Sequence, residues 1–150
     1  MSHYQKVLIA IDLDQHAESI INSALKLCNE QTIIQLIHVV LPVSQAFYAN
    51  GMGLIEPMVD LVDLEKKVLD HAQQHLNSLT DKLIDQYQYE NRVLKGDVVD
   101  SIVDFAKENR TSVIVLGSHA TSGIKLLLGS TANGTLHHAP CDTLMVKISE

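Results

Sequence analysis

The chain has 150 residues, of which 46% are apolar, and a formal net charge of −7. This composition can form one well-covered core but the length is short for two ordinary domains, so we expect residues 1–150 to form a single domain. The eleven Lys and Arg residues are scattered along an acidic chain, which argues against nucleic acid as a partner.

The sequence indicates neither a membrane protein nor a disulfide-linked one. No apolar run reaches the roughly 18 residues of a membrane span, and the first residues lack a signal-peptide pattern. Cys28 and Cys141 are far apart and follow no metal-ligand spacing, which favours two buried, inert thiols. We therefore expect a cytoplasmic protein with no membrane partner.

The first strand and helix are predicted at the start of the chain. Residues 6–13 (KVLIAIDL) are nearly all apolar, which is typical of a strand covered on both faces, and Asp12 interrupts its C-terminal end. Asp14 is predicted to be the N-cap of a helix. The apolar residues of this helix, spaced by three and four, are Ala17, Ile20, Ile21, Ala24, Leu25 and Cys28.

A second covered strand is predicted over residues 33–40, with His38 inside it. A histidine in such a strand is more often a core residue that makes a local hydrogen bond than a catalyst. Residues 41–60 then lose all periodicity but stay rich in apolar side chains. We expect this segment either to fold over a ligand or to contact a protein partner that the sequence does not identify.

A long helix follows, with an apolar stripe from Leu61 to Leu83. His71 and His75 are four residues apart on it, which is the spacing of a two-histidine metal pair. The sequence places no third ligand near them. We therefore favour a solvent-facing pair and predict no metal site.

The rest of the chain continues the alternation of strands and helices. We predict an edge strand over residues 89–95, a helix capped by Gly96-Asp97, a strand over 113–116, a helix over 130–138 and a last strand over 143–148. This alternation predicts an α/β fold, a three-layer open sheet of five parallel strands with helices on both faces. Right-handed crossovers then give the strand order 3-2-1-4-5.

The fourth strand is followed by a glycine-bounded loop. Gly117 ends the predicted strand, and Gly129 precedes a helix whose first N–H groups, over residues 130–133, favour an anion. This arrangement predicts a phosphate cradle, although two ordinary turn glycines would give the same pattern.

The predicted topology brings the two chain segments together. The sheet reverses its direction of winding between the first and fourth strands, and ligands of open α/β sheets bind at that reversal. Asp12 and Gly117 should therefore be neighbours. A carboxylate suits ribose hydroxyls or a phosphate-bound cation, Ala10 and Val39 suit the face of a base, and Gly129-Ser130 suits phosphates.

These segments carry a family resemblance over essentially the whole chain. Residues 7–13 (VLIAIDL), 36–40 (LIHVV), 96–109 (GDVVDSIVDFAKEN) and 113–148 resemble the universal stress protein family, with its UspA-type domain. Its nucleotide-binding members have a glycine, two residues, a second glycine, nine residues, and a glycine followed by Ser or Thr. Here Ala120 replaces the second glycine, and eight residues separate it from Gly129.

The resemblance implies a regulatory role in the stress response, a homodimer formed through the last strand, and an adenine nucleotide, ATP, with Mg²⁺ as a candidate companion. It implies no catalytic residue and at most slow ATP hydrolysis. The site residues that follow are Ala10, Asp12, Val39, Leu116, Gly117, His119, Ala120, Gly129, Ser130, Thr131 and Ala132. The changes at Ala120 and in the loop length leave an alternative open, a dimeric interaction module that binds no nucleotide.

A true enzyme on this sheet, such as an adenylating ligase, is disfavoured. Such enzymes need a glycine-serine phosphate loop after the first strand, where this chain has Asp12-Leu13-Asp14, and two carboxylates would repel phosphate. Ser118 and His119 are adjacent, but no orienting carboxylate accompanies them to complete a nucleophile and base pair.

Overall fold

A computed structural model describes residues 4–45, 60–119 and 129–148, with only the backbone of His119. In these residues a central sheet has the strand order β3-β2-β1-β4-β5, and every adjacent pair is parallel. The fold class and strand order predicted from the sequence are confirmed. The elements are β1 Lys6–Ala10, α1 Ala17–Leu25, β2 Ile33–Val40, α2 Leu61–Leu83, β3 Gln88–Lys95, α3 Val98–Asn109, β4 Val113–His119, α4 Ser130–His138 and β5 Asp142–Ile148.

The central strands are apolar on both sides because helices cover both faces of the sheet. Val7 and Ile9 of β1 belong to a core shared with α1 and α2. Leu8 and Ala10, which alternate with them, belong to a second core shared with α3 and α4. All four side chains are at most 9% exposed, so β1 lies at the centre of the molecule.

Side-chain caps fix where two helices begin. The Asp60 carboxylate accepts hydrogen bonds from the N–H groups of Val62 and Asp63 at the start of α2, both at 3.1 Å. The Asp97 carboxylate accepts one from the N–H of Asp100 at 3.0 Å, which confirms the predicted cap of α3. These caps stabilise the N-termini of α2 and α3, the helices that follow β2 and β3 in the chain.

The structure corrects the first strand and helix. β1 ends at Ala10 rather than Leu13, and α1 ends at Leu25, before Cys28. Asp14 is not the N-cap, because its Oδ1 accepts a hydrogen bond from the N–H of His16 at 2.8 Å in a turn, and α1 begins at Ala17. Cys28 and Cys141 are free thiols, but both are half-buried rather than buried.

The fourth strand is longer than predicted. β4 runs through Gly117 to His119, and Gly117 pairs with Val146 of β5. The glycine therefore lies inside a strand rather than at the break that ends it. β3 and β5 each begin one residue earlier than predicted, at Gln88 and Asp142.

Two sequence predictions concern residues outside the described ranges. The apolar segment expected to cover a ligand or a partner falls largely within residues 46–59, and the loop between the two glycines falls within residues 120–128. Within the described ranges, no helix combines the length and apolarity needed to cross a membrane.

Candidate functional site

A cavity of about 150 Å³ opens where the strand order reverses, beyond the C-terminal ends of β1 and β4. The turn after β1 and the start of α4 both line it, so the two segments that the topology brought together are neighbours. The lining residues are Ala10, Ile11, Asp12, Asp14, Ile20, Ile37, Val39, Val98, Ile102, Leu116, Gly117, Gly129, Ser130, Thr131, Ala132 and Ile148. We call this the switch-point cavity.

Most residues proposed from the sequence lie around this cavity. Those that line it are Ala10, Asp12, Val39, Leu116, Gly117, Gly129, Ser130, Thr131 and Ala132. His119 is the last residue of β4, and its side chain lies outside the described part of the structure, as does the whole of Ala120. The geometry gathers these residues in one place; their role as ligands stays a prediction.

One wall of the cavity is an apolar slot. Ala10 pairs in register with Ile37 on one side and Leu116 on the other, so the three side chains form a row across β2, β1 and β4 on one face of the sheet. Val98 and Ile102 of α3 also line the cavity. Apolar walls of this kind suit a flat, weakly polar group such as a heterocyclic base.

A second wall is the N-terminus of α4. Its N-cap residue, Gly129, has no side chain to accept hydrogen bonds from the first turn, while its carbonyl accepts the N–H of Asn133 at 2.9 Å. Ser130 is exposed and Thr131 is half-buried. The positive end of the helix dipole and the first-turn N–H groups therefore face a cavity that can hold an anion.

The third wall carries negative charge. Asp12 and Asp14 both line the cavity from the turn after β1, and both are exposed. Among the described lining residues there is no Lys, Arg or His to balance them. The chain therefore offers a bound anion backbone N–H groups on one side and two carboxylates on the other.

Gly117 has a packing role that the sequence did not reveal. A Cβ added at this position would overlap Cδ1 of Ile148 and lie 2.8 Å from Cδ1 of Ile20. Both isoleucines line the switch-point cavity. The missing side chain thus makes room for the end of β5 and for α1 beside the cavity.

Seven lining residues were not predicted as site residues. Six are apolar, and their sequence signal is the same as that of any core residue: Ile11, Ile20, Ile37, Val98, Ile102 and Ile148. The seventh, Asp14, could have been found, because it follows Asp12 by two residues in the turn that leaves the switch point.

Three titratable residues predicted to be structural, His38, Cys28 and Cys141, lie outside the switch-point cavity. His38 Nδ1 lies 2.8 Å from the carbonyl oxygen of Ile11 and must donate its hydrogen, which confirms the predicted hydrogen bond, but His38 is half-buried rather than a core residue. Burial raises the pKa of the Cys28 thiol to about 11 and also raises that of Cys141. Thiols with raised pKa values are poor nucleophiles at neutral pH.

Together, the parallel sheet and the cavity at its reversal define a doubly wound α/β protein, the class in which ligands bind at this crevice. The model of the universal stress protein family matches residues 3–147, and the chain belongs to that family.

Individual relatives also match this chain over nearly its whole length. The chain is 33% identical to universal stress protein A homolog 2 of Coxiella burnetii, over 99% of this chain and 98% of that one. A universal stress protein solved in complex with cAMP superposes with a TM-score of 0.67 at 20% identity, covering 99% and 100% of the two chains. A family member from Arabidopsis thaliana with AMP bound gives 0.63 at 16% identity, covering 97% and 92%.

Proposed function

We propose that this protein is an ATP-binding regulatory module of the stress response, and that the nucleotide occupies the switch-point cavity. The observation that carries the proposal is the convergence of three walls on one cavity: an apolar slot, a glycine-capped helix N-terminus and a carboxylate turn. Each wall matches one part of an adenine nucleotide. The two solved relatives that hold cAMP and AMP support the choice of adenine nucleotides.

The base and the ribose fit the inner part of the cavity. The row formed by Ala10, Ile37 and Leu116 gives the base a flat apolar surface, and Val98 of α3 lines the same space. Asp12 lies two residues beyond the end of β1, where a carboxylate can accept hydrogen bonds from ribose hydroxyls. The cavity of about 150 Å³ is below the roughly 300 Å³ of a typical small-molecule site, so only this part of the nucleotide would be enclosed.

The phosphates then extend toward α4. The N–H groups of the first turn after Gly129 would bind them, as helix N-termini bind phosphate in other α/β folds. Because Asp12 and Asp14 line the same cavity, a bare triphosphate would be repelled. Carboxylates and phosphates together are ligands that Mg²⁺ accepts, so we expect ATP to bind as its Mg²⁺ complex, with Asp12 or Asp14 near the ion.

The proposed role is regulation rather than turnover. Among the described lining residues there is no Lys, Arg or His that could stabilise charge on a transferring phosphoryl group. We therefore expect ATP hydrolysis to be slow at most. The cytoplasm, the expected location, supplies both ATP and Mg²⁺.

We also propose a homodimer formed through β5. This strand is at the edge of the sheet, hydrogen-bonded to β4 on one side. Its apolar centre, Leu144 to Val146, is only half-buried. Pairing of a second copy along this edge would cover both its N–H groups and its side chains. Sedimentation equilibrium tests this: a dimer is expected, and a monomer across the concentration range would contradict it.

The nucleotide proposal is tested on the purified protein. Denaturation should release an adenine nucleotide, and ATP with Mg²⁺ should raise the melting temperature, because a ligand at a hundredfold excess over its Kd stabilises the native state by about 2.7 kcal/mol. No release and no thermal shift would favour the second candidate, a dimeric interaction module without nucleotide. The replacement of the family's second glycine by Ala120 favours that candidate.

A further inference from the structure

A second cavity, of about 430 Å³, lies beside the switch-point cavity, between α2 and the C-terminal ends of β1 and β2. Four nitrogen-bearing side chains line it: His38 of β2 and Lys67, His71 and His75 of α2. We call it the histidine cavity. His71 and His75 share one side of the helix because they are four residues apart. The sequence pattern predicted this pair but not that His38 and Lys67 would join it.

The rest of the lining is apolar. Leu13, Val40, Val68 and Ala72 line the cavity between the nitrogen-bearing side chains. The cavity is open to solvent on one side, since Lys67, Val68, His71 and His75 are exposed, and its volume is within the range of small-molecule sites. A ligand that complements it has an apolar body and a head group that accepts hydrogen bonds.

The charges that face the cavity favour an anionic head group. None of the described lining residues is Asp or Glu. On α2, Asp63 pairs with Lys67 at 2.9 Å, and both side chains are more than half exposed, while Asp70, the residue before His71, is exposed and does not line the cavity. Such a pair contributes little and exchanges readily with water, so Lys67 can turn to a ligand. Glu65, two residues before Lys67, accepts a hydrogen bond from the ammonium of Lys95 on β3.

His38 has one ring nitrogen left for a ligand. Its Nδ1–H donates to the carbonyl oxygen of Ile11, so Nε2 is an acceptor when the ring is neutral and a donor when it is protonated. Lys67 supplies a positive charge to the lining, and the three imidazoles add ring nitrogens that can hydrogen-bond to a head group.

A metal ion suits the cavity less well. Among the described residues, no group of three or more His, Cys, Asp or Glu side chains is placed to hold a metal. The histidines line a common space without converging on one point. Separate donors around an apolar space bind an extended anion better than a compact cation.

We propose that the histidine cavity binds a small amphiphilic anion, a carboxylate or phosphate ester carried on an apolar body. The site is separate from the proposed nucleotide site, because Leu13 lines this cavity while Asp12 and Asp14 line the other. The proposal therefore does not depend on whether the protein binds ATP.

The test is calorimetric titration of the whole protein with octanoate, octyl phosphate and the neutral analogue octanamide. Both anions should bind about five- to tenfold more tightly than octanamide, because only they carry a charge that pairs with Lys67. The better of the two anions identifies the head group. Equal binding of octanamide would overturn the proposal, since the cavity would then recognise only apolar surface.

Paired variants locate the site. His71→Gln with His75→Gln should weaken octanoate binding about five- to tenfold, because two imidazole contacts to the head group are lost. The matched control is His137→Gln with His138→Gln, which removes two exposed histidines from α4. All four positions are exposed, so both variants should fold. An equal loss in both variants, or no loss in either, would overturn the proposal, as would tight binding of Zn²⁺ that excludes octanoate.

Discussion

The two cavities lie on either side of one short turn and have opposite character. Asp12 and Asp14 line the switch-point cavity, while Leu13 between them lines the histidine cavity. On one side the chain presents carboxylates and a helix N-terminus; on the other it presents imidazoles and a lysine. The chain bends between these residues, so three successive side chains line two neighbouring cavities.

The comparison also separates two ways of binding an anion. At the switch point the donors are backbone N–H groups, which carry no net charge and require a small residue at the approach. In the histidine cavity the donors are side chains, one lysine and three histidines. A branched side chain at a glycine should therefore disable the first site, whereas removal of those side chains should disable the second.

The largest effect is expected for Gly129→Val. The backbone of Gly129 has φ −55° and ψ 157°, which valine adopts without strain, so the fold should survive. The valine side chain would occupy the space where phosphates approach α4. The stabilisation by a hundredfold excess of ATP with Mg²⁺, about 2.7 kcal/mol, should fall to nearly zero in thermal denaturation.

A control on the same helix shows whether the loss is specific. Asn133→Val puts the same side chain at an exposed position of α4 that does not line the cavity. This variant should keep the ATP-dependent shift, and both variants should still bind octanoate. If Gly129→Val binds ATP like the wild type, the phosphates lie elsewhere.

A smaller effect, this time on stability, is expected for Gly117→Ala. The added Cβ would overlap Ile148 and crowd Ile20, and overpacking of this kind costs about 1–3 kcal/mol of the free energy of unfolding. Urea denaturation measures this loss. Because the most crowded atom belongs to Ile148, the double variant with Ile148→Ala should lose less than the sum of the two single variants. If the losses in the free energy of unfolding are additive, the contact with Ile148 is not the reason that position 117 is a glycine.

The sequence predicted the position of the switch-point cavity because its location follows from topology. Continuous apolar strands alternating with helices required a parallel sheet, and one reversal of winding brought Asp12 to Gly129. The sequence did not predict why position 117 is a glycine. The reason is the contact with Ile148, a residue that is distant in the chain. The position of the third histidine, His38, in the second cavity also depends on how α2 lies across the sheet.

The boundaries that were wrong share a physical cause. Strand propensity continues from Ala10 into Ile11 and Leu13, but the ladder with β4 ends at Ala10. Asp14 has the composition of an N-cap, yet its side chain accepts the N–H of His16 in a turn before α1 begins. Residue type alone does not determine where β1 ends or α1 begins. Strand pairing fixes the first boundary, and a local hydrogen bond fixes the second.

The smallest effect is expected at the shared turn itself, for Asp14→Asn. The amide oxygen of asparagine can still accept the hydrogen bond from His16, so the turn should keep its shape while one negative charge leaves the switch-point cavity. ATP without Mg²⁺ should then bind about threefold more tightly, because an exposed charge acts weakly through water.

Asp104→Asn makes the same change at an exposed position of α3 that lines neither cavity and should leave ATP affinity unchanged. Octanoate affinity should hardly change in either variant, since Asp14 does not line the histidine cavity. If Asp14→Asn instead weakens ATP binding only when Mg²⁺ is present, the carboxylate acts as a ligand of the ion, and if it changes ATP and octanoate affinity equally, the turn does not keep the two sites apart.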